Sequence, residues 1–277
     1  MYLINSPVVR AQELSFSEDG VGGIVKDVLL KWYNTLQFFA QSKQRLELAT
    51  GKVFKPDSAK GAASTNVMDK WILSTIQTLN KNVKREMEAY FLYKVVPNLL
   101  NFIEQITNWY VKLNRSRMKG QGNTQEDCEA SLCCLYESLF QFTRLMAPLA
   151  PFFAEFAYQQ LRPLHPQFGD ASAAPDAAGR SDSVHYILLP EPDMSLIDEV
   201  IERRVARMQE IVELGRKTRD SSKLPLKFPC RTLVLVCTEP DFKASRRSLL
   251  AFLQHLRLLC DNGTLMPIAH FFSFAAG

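Results

Sequence analysis

The chain has 277 residues, of which 47% are hydrophobic and 22% are charged, a balance typical of folded globular proteins. Its formal net charge of +4 permits an anionic partner without requiring one. No apolar run reaches the roughly 18 residues of a membrane-spanning helix, and the first residues lack the pattern of a secretory signal, so we expect a cytoplasmic protein with no membrane partner.

The first half of the chain is dominated by apolar residues that recur every three or four positions. This spacing predicts a long amphipathic helix from about Val21 to Leu48. A second helix is expected to start at Asp69, which is placed to act as its N-cap. A third follows the apolar stripe from Leu92 to Leu113, the pattern of a helix packed against antiparallel neighbours.

The second half continues the helical pattern and then changes character. Thr124 is expected to cap a fourth helix, with Asp127 at the capping-box position, and Pro151 to open a fifth. Residues 165–183 are rich in Ala, Pro, Gly, Ser and Asp and predict a disordered surface insert. After a short extended segment, Ser195 is expected to cap a sixth helix.

These elements predict an all-α fold, an up-and-down helix bundle over residues 21–219. Residues 1–20 lead into the bundle, and residues 220–277 are expected to form a small, partial α/β appendage. The appendage is predicted from the β-branched strand Thr232–Cys237 and a helix over Phe242–Leu259.

No segment predicts an active site. None of the four histidines belongs to a recognisable nucleophile motif, and the six cysteines contain no zinc-ligand spacing. Gly20-Val-Gly22-Gly23 precedes a helix but lacks the Gly-Lys-Ser/Thr ending of a phosphate loop, so a plain turn is the better interpretation. We therefore assign no catalytic residue and no metal ligand.

The most informative feature is a basic stripe near the end of the third helix. Residues 105–125 contain no Asp or Glu, and at about 100° per residue four side chains fall on one face, away from the apolar seam. Cations beside an aromatic ring suit RNA, because they pair with phosphates while the ring stacks on an unpaired base. The stripe consists of Trp109, Lys112, Arg115 and Lys119, with Arg117 nearby.

A solvated helix end is the alternative explanation of the stripe, since cations near a helix C-terminus gain about 0.3–1 kcal/mol each from the macrodipole. From the stripe alone, this alternative is preferred. A second basic cluster weakens it, because two clusters that converge would form a single anion-binding surface. That cluster comprises Arg216, Lys217, Arg219, Lys223 and Lys227.

Several segments resemble isoleucyl-tRNA synthetases of the eukaryotic cytosolic type, over roughly residues 2–236. Their order and spacing are more specific than any one of them. Lys112 departs from the family's Arg, and Lys31 from its frequent Pro. The segments are YLINSPVVRA, VKDVLLKWYN (25–34), MDKWILS (68–74), TNWYVKLNRSRMKG (107–120), RLMAPLAPFFAE (144–155), HYILLP and ELGRKTRDSSKLPLKFP (213–229).

The resemblance implies an anticodon-binding domain, with residues 1–20 as the exit from a catalytic core that is missing from this chain. The family activates isoleucine with ATP and magnesium and esterifies it to tRNA, but its nucleotide-binding His-x-Gly-His and Lys-Met-Ser-Lys motifs are absent here. We therefore expect no cofactor on this chain. The expected partners are the anticodon stem-loop of tRNA-Ile, the enzyme's own catalytic domain and a multi-synthetase complex.

The resemblance also implies which residues meet the tRNA. Trp109, Lys112, Arg115, Arg117 and Lys119 are expected to face the anticodon stem-loop, while Arg216 and Arg219 approach it from the neighbouring helix. Three alternatives stay open at this point. They are a helical protein-interaction module in a synthetase assembly, the same domain of a valyl- or leucyl-type enzyme, and a complete enzyme with an unrecognised site.

Overall fold

A computed structural model describes residues 1–10, 12–13, 16–121, 124–166 and 181–225. The chain divides into two compact units, Met1–Asp198 and Glu199–Gly277. Most of the predicted insert at 165–183, and the predicted strand and helix after residue 230, lie outside the described residues.

The described residues are mainly helical, as predicted. A π-helical turn, Val25–Leu29, joins the first two helices into one rod, and a second π-helical segment, Gln105–Val111, extends the fifth. The helices are α1 (Glu18–Ile24), α2 (Leu30–Thr50), α3 (Ser58–Ala62), α4 (Val67–Glu88), α5 (Leu92–Glu104), α6 (Arg115–Met118), α7 (Gln125–Met146), α8 (Pro151–Leu161) and α9 (Glu199–Ser221).

The long helices of the first unit alternate in direction, which confirms the predicted up-and-down bundle. Contacts of Trp32 with Phe142 and of Phe39 with Tyr136 show that α2 and α7 are antiparallel. The turn at Tyr90 folds α5 back along α4, and α8 returns along α7. Helix α9 belongs to the second unit.

The core consists of the apolar stripes that the sequence pattern picks out. The third predicted stripe is an example, since Leu99, Ile103, Ile106 and Tyr110 are all at most 1% exposed. Burial of such side chains drives the folding of helices that are individually marginal. Within the described ranges, no helix has both the length and the apolar character needed to cross a bilayer.

Two predicted helix starts are confirmed. The Thr124 hydroxyl accepts a hydrogen bond from the Asp127 amide and caps α7, and Pro151 occupies the first turn of α8. There its missing N–H removes no intrahelical bond.

Two predicted caps are wrong. Helix α4 starts at Val67 and is capped by Asn66, which leaves Asp69 inside the first turn with a fully buried side chain. Ser195 lies within a separate 3₁₀ turn whose cap is Asp193, and α9 starts only at Glu199.

Two local predictions also fail. The segment expected to be extended from Val184 to Leu189 begins instead with a 3₁₀ turn, Val184–Tyr186, capped by Ser183, and Ile187 after the turn is extended. The glycines of Gly20-Val-Gly22-Gly23 lie inside α1, where a turn was expected.

Candidate nucleic-acid interface

The predicted basic stripe lies where the helical rod that starts at Leu92 comes to an end. The rod continues as a π-helix from Gln105 to Val111, and Asn114, with φ −96° and ψ 11°, interrupts it before α6. The stripe was placed by assuming a regular α-helix. That assumption is wrong here, because a π-helical turn and a break both change the angular position of every later residue.

Despite the break, the structure presents two of the predicted cations to solvent. Lys112 and Arg115 are exposed, and Trp109 and Lys119 are half-buried. The Arg115 guanidinium carbon lies 5.8 Å from the ring centroid of Phe38 on α2, within the range of a cation–π interaction. The ring therefore helps to orient a guanidinium whose hydrogen-bond donors stay available at the surface.

Phe38 is not among the residues predicted from the sequence. Its only signal is its position: it is an aromatic residue next to Phe39, outside the stripe through Trp32 and Leu36 that α2 buries. The ring is half-buried.

One edge of this face carries an ion pair. Lys31 of α2 pairs with Glu104 at the end of α5, and Glu104 also accepts a hydrogen bond from Asn108. Lys31 is one of the two positions where the chain departs from the family pattern. Its charge is matched by Glu104, so we do not add it to the cations that face solvent.

Arg117 is placed differently from the prediction. Its side chain is only 5% exposed and makes four hydrogen bonds to carboxylates. The bonds to Asp69 are 2.8 and 2.7 Å long, and those to Asp127 are 2.8 and 2.6 Å long. A guanidinium that is buried and held in this way cannot reach a phosphate, so we remove Arg117 from the interface.

The buried Asp69 carboxylate is fully hydrogen-bonded by several segments of the bundle. Besides Arg117, it accepts bonds from the hydroxyl of Ser64 at 2.6 Å and from that of Tyr110 at 2.7 Å. Burial raises the pKa of Tyr110, and the negative charge of Asp69 raises it further. Burial alone would lower the pKa of Arg117, but the two carboxylates outweigh it and hold the pKa above its usual value.

Three residues of the second predicted cluster, Arg216, Lys217 and Arg219, lie on α9 in the second compact unit, and Lys223 follows the end of that helix. Arg216 is half-buried and donates a 2.5 Å hydrogen bond to Glu213, while Lys217 and Lys223 are exposed. Arg219 is only 8% exposed and donates to the carbonyl of Pro225, so we remove it from the interface as well. Lys227 lies outside the described residues.

The described residues offer this face little chemistry beyond binding. Among them, no group of three or more His, Cys, Asp or Glu side chains is arranged to hold a metal ion. The thiols of Cys128, Cys133 and Cys134 are buried, and burial raises the pKa of Cys133 to about 11. Exposed cations beside aromatic rings are suited to contact phosphates and stack on bases.

Comparison with known proteins identifies this region. Residues 69–234 match the sequence model of the anticodon-binding domain of tRNA ligase. The chain is 42% identical, over 97% of its length, to the probable cytoplasmic isoleucine–tRNA ligase of Dictyostelium discoideum, of which it covers 25%. It is 42% identical to the cytoplasmic enzyme of Mus musculus (90% of this chain, 19% of that protein). For the Saccharomyces cerevisiae enzyme the identity is 41% (87% and 22%). The chain thus spans about a fifth to a quarter of the length of these relatives.

Proposed function

This chain belongs to the family of anticodon-binding domains of tRNA ligases, and we propose that its exposed cationic face docks the anticodon stem-loop of tRNA-Ile. The observation that carries the proposal is the pairing of Arg115 with the Phe38 ring, close to the exposed Lys112. Both cations lie inside the matched region 69–234. Trp109 and Lys119 complete the proposed face. Arg216, in the second unit, stays a predicted tRNA contact by itself, whereas Arg117 and Arg219 are not retained.

The proposed mechanism has two parts. Lys112, Arg115 and Lys119 steer the RNA and fix its position through phosphate contacts, which carry no sequence information by themselves. Trp109 stacks on a base that is splayed out of the anticodon loop. The partial burial of Trp109 suits this role, because a packed ring loses less conformational freedom on binding than a mobile one.

We propose further that the chain acts as part of a cytoplasmic isoleucine–tRNA ligase, as its relatives are named. In that setting, ATP and magnesium would be used by the catalytic domain of the ligase. The expected partners are that domain and a multi-synthetase complex. The predicted boundaries, with residues 21–219 as the bundle, belong to the same proposal.

The test is a titration of tRNA-Ile against the full chain at several salt concentrations. We expect Lys112→Ala with Arg115→Ala to remove two phosphate contacts. Each contact contributes about 0.7–0.9 to the slope of log K against log salt, so the slope should fall by about 1.4–1.8. At about 0.1 M salt the same loss corresponds to an affinity about 25- to 60-fold lower.

The matched control is Lys26→Ala with Lys81→Ala. It removes the same charge from exposed positions outside the proposed face, one in the π-helical turn before α2 and one within α4. The control should leave the slope nearly unchanged. If both double variants lower the slope equally, binding depends on net charge and the proposed face is wrong. If the parent chain ignores RNA but captures a protein partner, the protein-interaction module is the better explanation.

A further inference from the structure

The turn that carries the proposed RNA contacts cannot hold its own shape. Helix α6 has four residues, between the break at Asn114 and Gly120, whose φ of +72° needs a glycine-like backbone. A helix of one turn is far below the length at which helices are stable in water. The directions of Arg115 and Lys119 must therefore be fixed by contacts with the rest of the bundle.

Those contacts come from the inward-facing side of the turn. Arg117 and Met118 are buried, whereas Arg115 and Ser116 are exposed. Arg117 anchors the turn to α4 through Asp69 and to α7 through Asp127. It also donates a 3.3 Å hydrogen bond to Asn114, the residue that ends the preceding helix.

Helical geometry connects the buried side chain with the exposed ones. Residues 115 and 119 are one turn apart and lie on the same side of a helix, whereas residue 117 is about 200° away from residue 115. Holding Arg117 inward therefore directs Arg115 and Lys119 outward. The charge of Arg117 is balanced by two carboxylates, so it adds little to the electrostatic attraction of RNA. Its contribution to binding is therefore to orient the neighbouring side chains.

We propose that Arg117, held by Asp69 and Asp127, is a positioning residue for RNA binding that sets the direction of Arg115 and Lys119 on either side of it. The inference rests on the proposed function, because positioning matters only if Arg115 and Lys119 contact the RNA. It assigns a binding role to carboxylates, groups that by charge alone repel RNA.

The sign of the effect makes the inference testable. Asp127→Asn and Glu126→Gln each remove one negative charge from the first turn of α7, and each raises the net charge from +4 to +5. By electrostatics alone, both should tighten RNA binding slightly. Only Asp127 binds Arg117, and it is 32% exposed, so its replacement by the similarly sized Asn should leave the fold intact.

We expect Asp127→Asn to weaken the binding of tRNA-Ile to the full chain and Glu126→Gln to leave it unchanged or tighter. Loss of one phosphate contact corresponds to an affinity about five- to eight-fold lower at about 0.1 M salt, with a slope lower by about 0.7–0.9. A purely structural role would lower the unfolding temperature but leave the salt slope unchanged. The affinity and the salt slope are measured at a temperature well below the unfolding transition of each variant.

Two outcomes would overturn the inference. In one, the two variants shift affinity in the same direction; in the other, Asp127→Asn binds more tightly with a steeper slope, because a released Arg117 has joined the interface. If Asp127→Asn does not fold, Arg117→Lys replaces it, since an ammonium group cannot span both carboxylates and should give the same loss of slope. Lys112→Ala with Arg115→Ala distinguishes failure of the inference from failure of the proposed function. If that double variant binds tRNA-Ile as the parent chain does, the proposed function itself is rejected.

Discussion

The buried ion network around Arg117 yields the sharpest stability prediction. Replacing Arg117 by Met keeps much of the side-chain volume but leaves Asp69 with no cation, at a position that is 0% exposed. Of its bonding partners, the Ser64 and Tyr110 hydroxyls would remain. Removing one partner of a buried ion pair costs about 3–5 kcal/mol, so we expect Arg117→Met to lower the free energy of unfolding by that amount.

A double-mutant cycle shows whether the loss arises from the uncompensated charge. Asp69→Asn removes the carboxylate, so the double variant Asp69→Asn/Arg117→Met should lose about 1–3 kcal/mol less than the sum of the single variants. Urea unfolding followed by tryptophan fluorescence is the appropriate assay, because Trp32, Trp71 and Trp109 all lie in the first compact unit. The free energy is taken by linear extrapolation to zero urea.

The control for this cycle is Lys84→Met. Lys84 also forms an ion pair, with Glu191, but the two side chains are 43% and 77% exposed. We expect that variant to be indistinguishable from the parent chain, since exposed pairs contribute little. A loss below about 1 kcal/mol for Arg117→Met, or additive single variants, would refute the network as a determinant of stability.

Two further predictions concern single positions. Tyr90 follows the C-cap of α4, Ala89, with a φ of +58°, and is 89% exposed. Tyr90→Gly should therefore relieve about 1 kcal/mol of backbone strain and raise the urea midpoint, whereas a lower midpoint would mean that the ring stabilises the fold. Burial and Arg144 lower the pKa of His165 from 6.5 to about 4. Between these pH values the unfolded chain binds a proton that the folded chain does not, so the free energy of unfolding should decrease as the pH is lowered from 6.5 to about 4. His165→Phe preserves the stacking on Phe140 and should make the pH dependence shallower in that window, whereas an unchanged slope would assign it to other groups.

Much of the fold could be predicted, because helices that pack against each other need apolar residues every three or four positions, and this spacing is visible in the sequence. The cap at Thr124 and the start at Pro151 also followed from local chemistry, since each satisfies or avoids backbone donors within its own turn. The predicted caps at Asp69 and Ser195 failed because Asn66 and Asp193, as acceptors, compete for the same role nearby.

The candidate site was only partly predictable. Lys112 and Arg115 follow from a basic stretch without acids, and the structure exposes both. Their grouping on one face of a regular helix was wrong, because the π-helical segment and the break at Asn114 have no signature in the sequence pattern. Phe38 was missed because its neighbour in space, Arg115, lies 77 positions further along the chain.

The sequence by itself determined the helices, their alternating order and, through the order of its motifs, the family, because these depend on periodicity and local chemistry. Only the tertiary structure decided which arginine faces water. Arg115 and Arg117 stand two positions apart in the same basic stretch, yet the acid that buries Arg117 lies 48 residues earlier in the chain. A cation becomes interior or exposed according to the charges that folding brings beside it, and the sequence lists those charges without their distances.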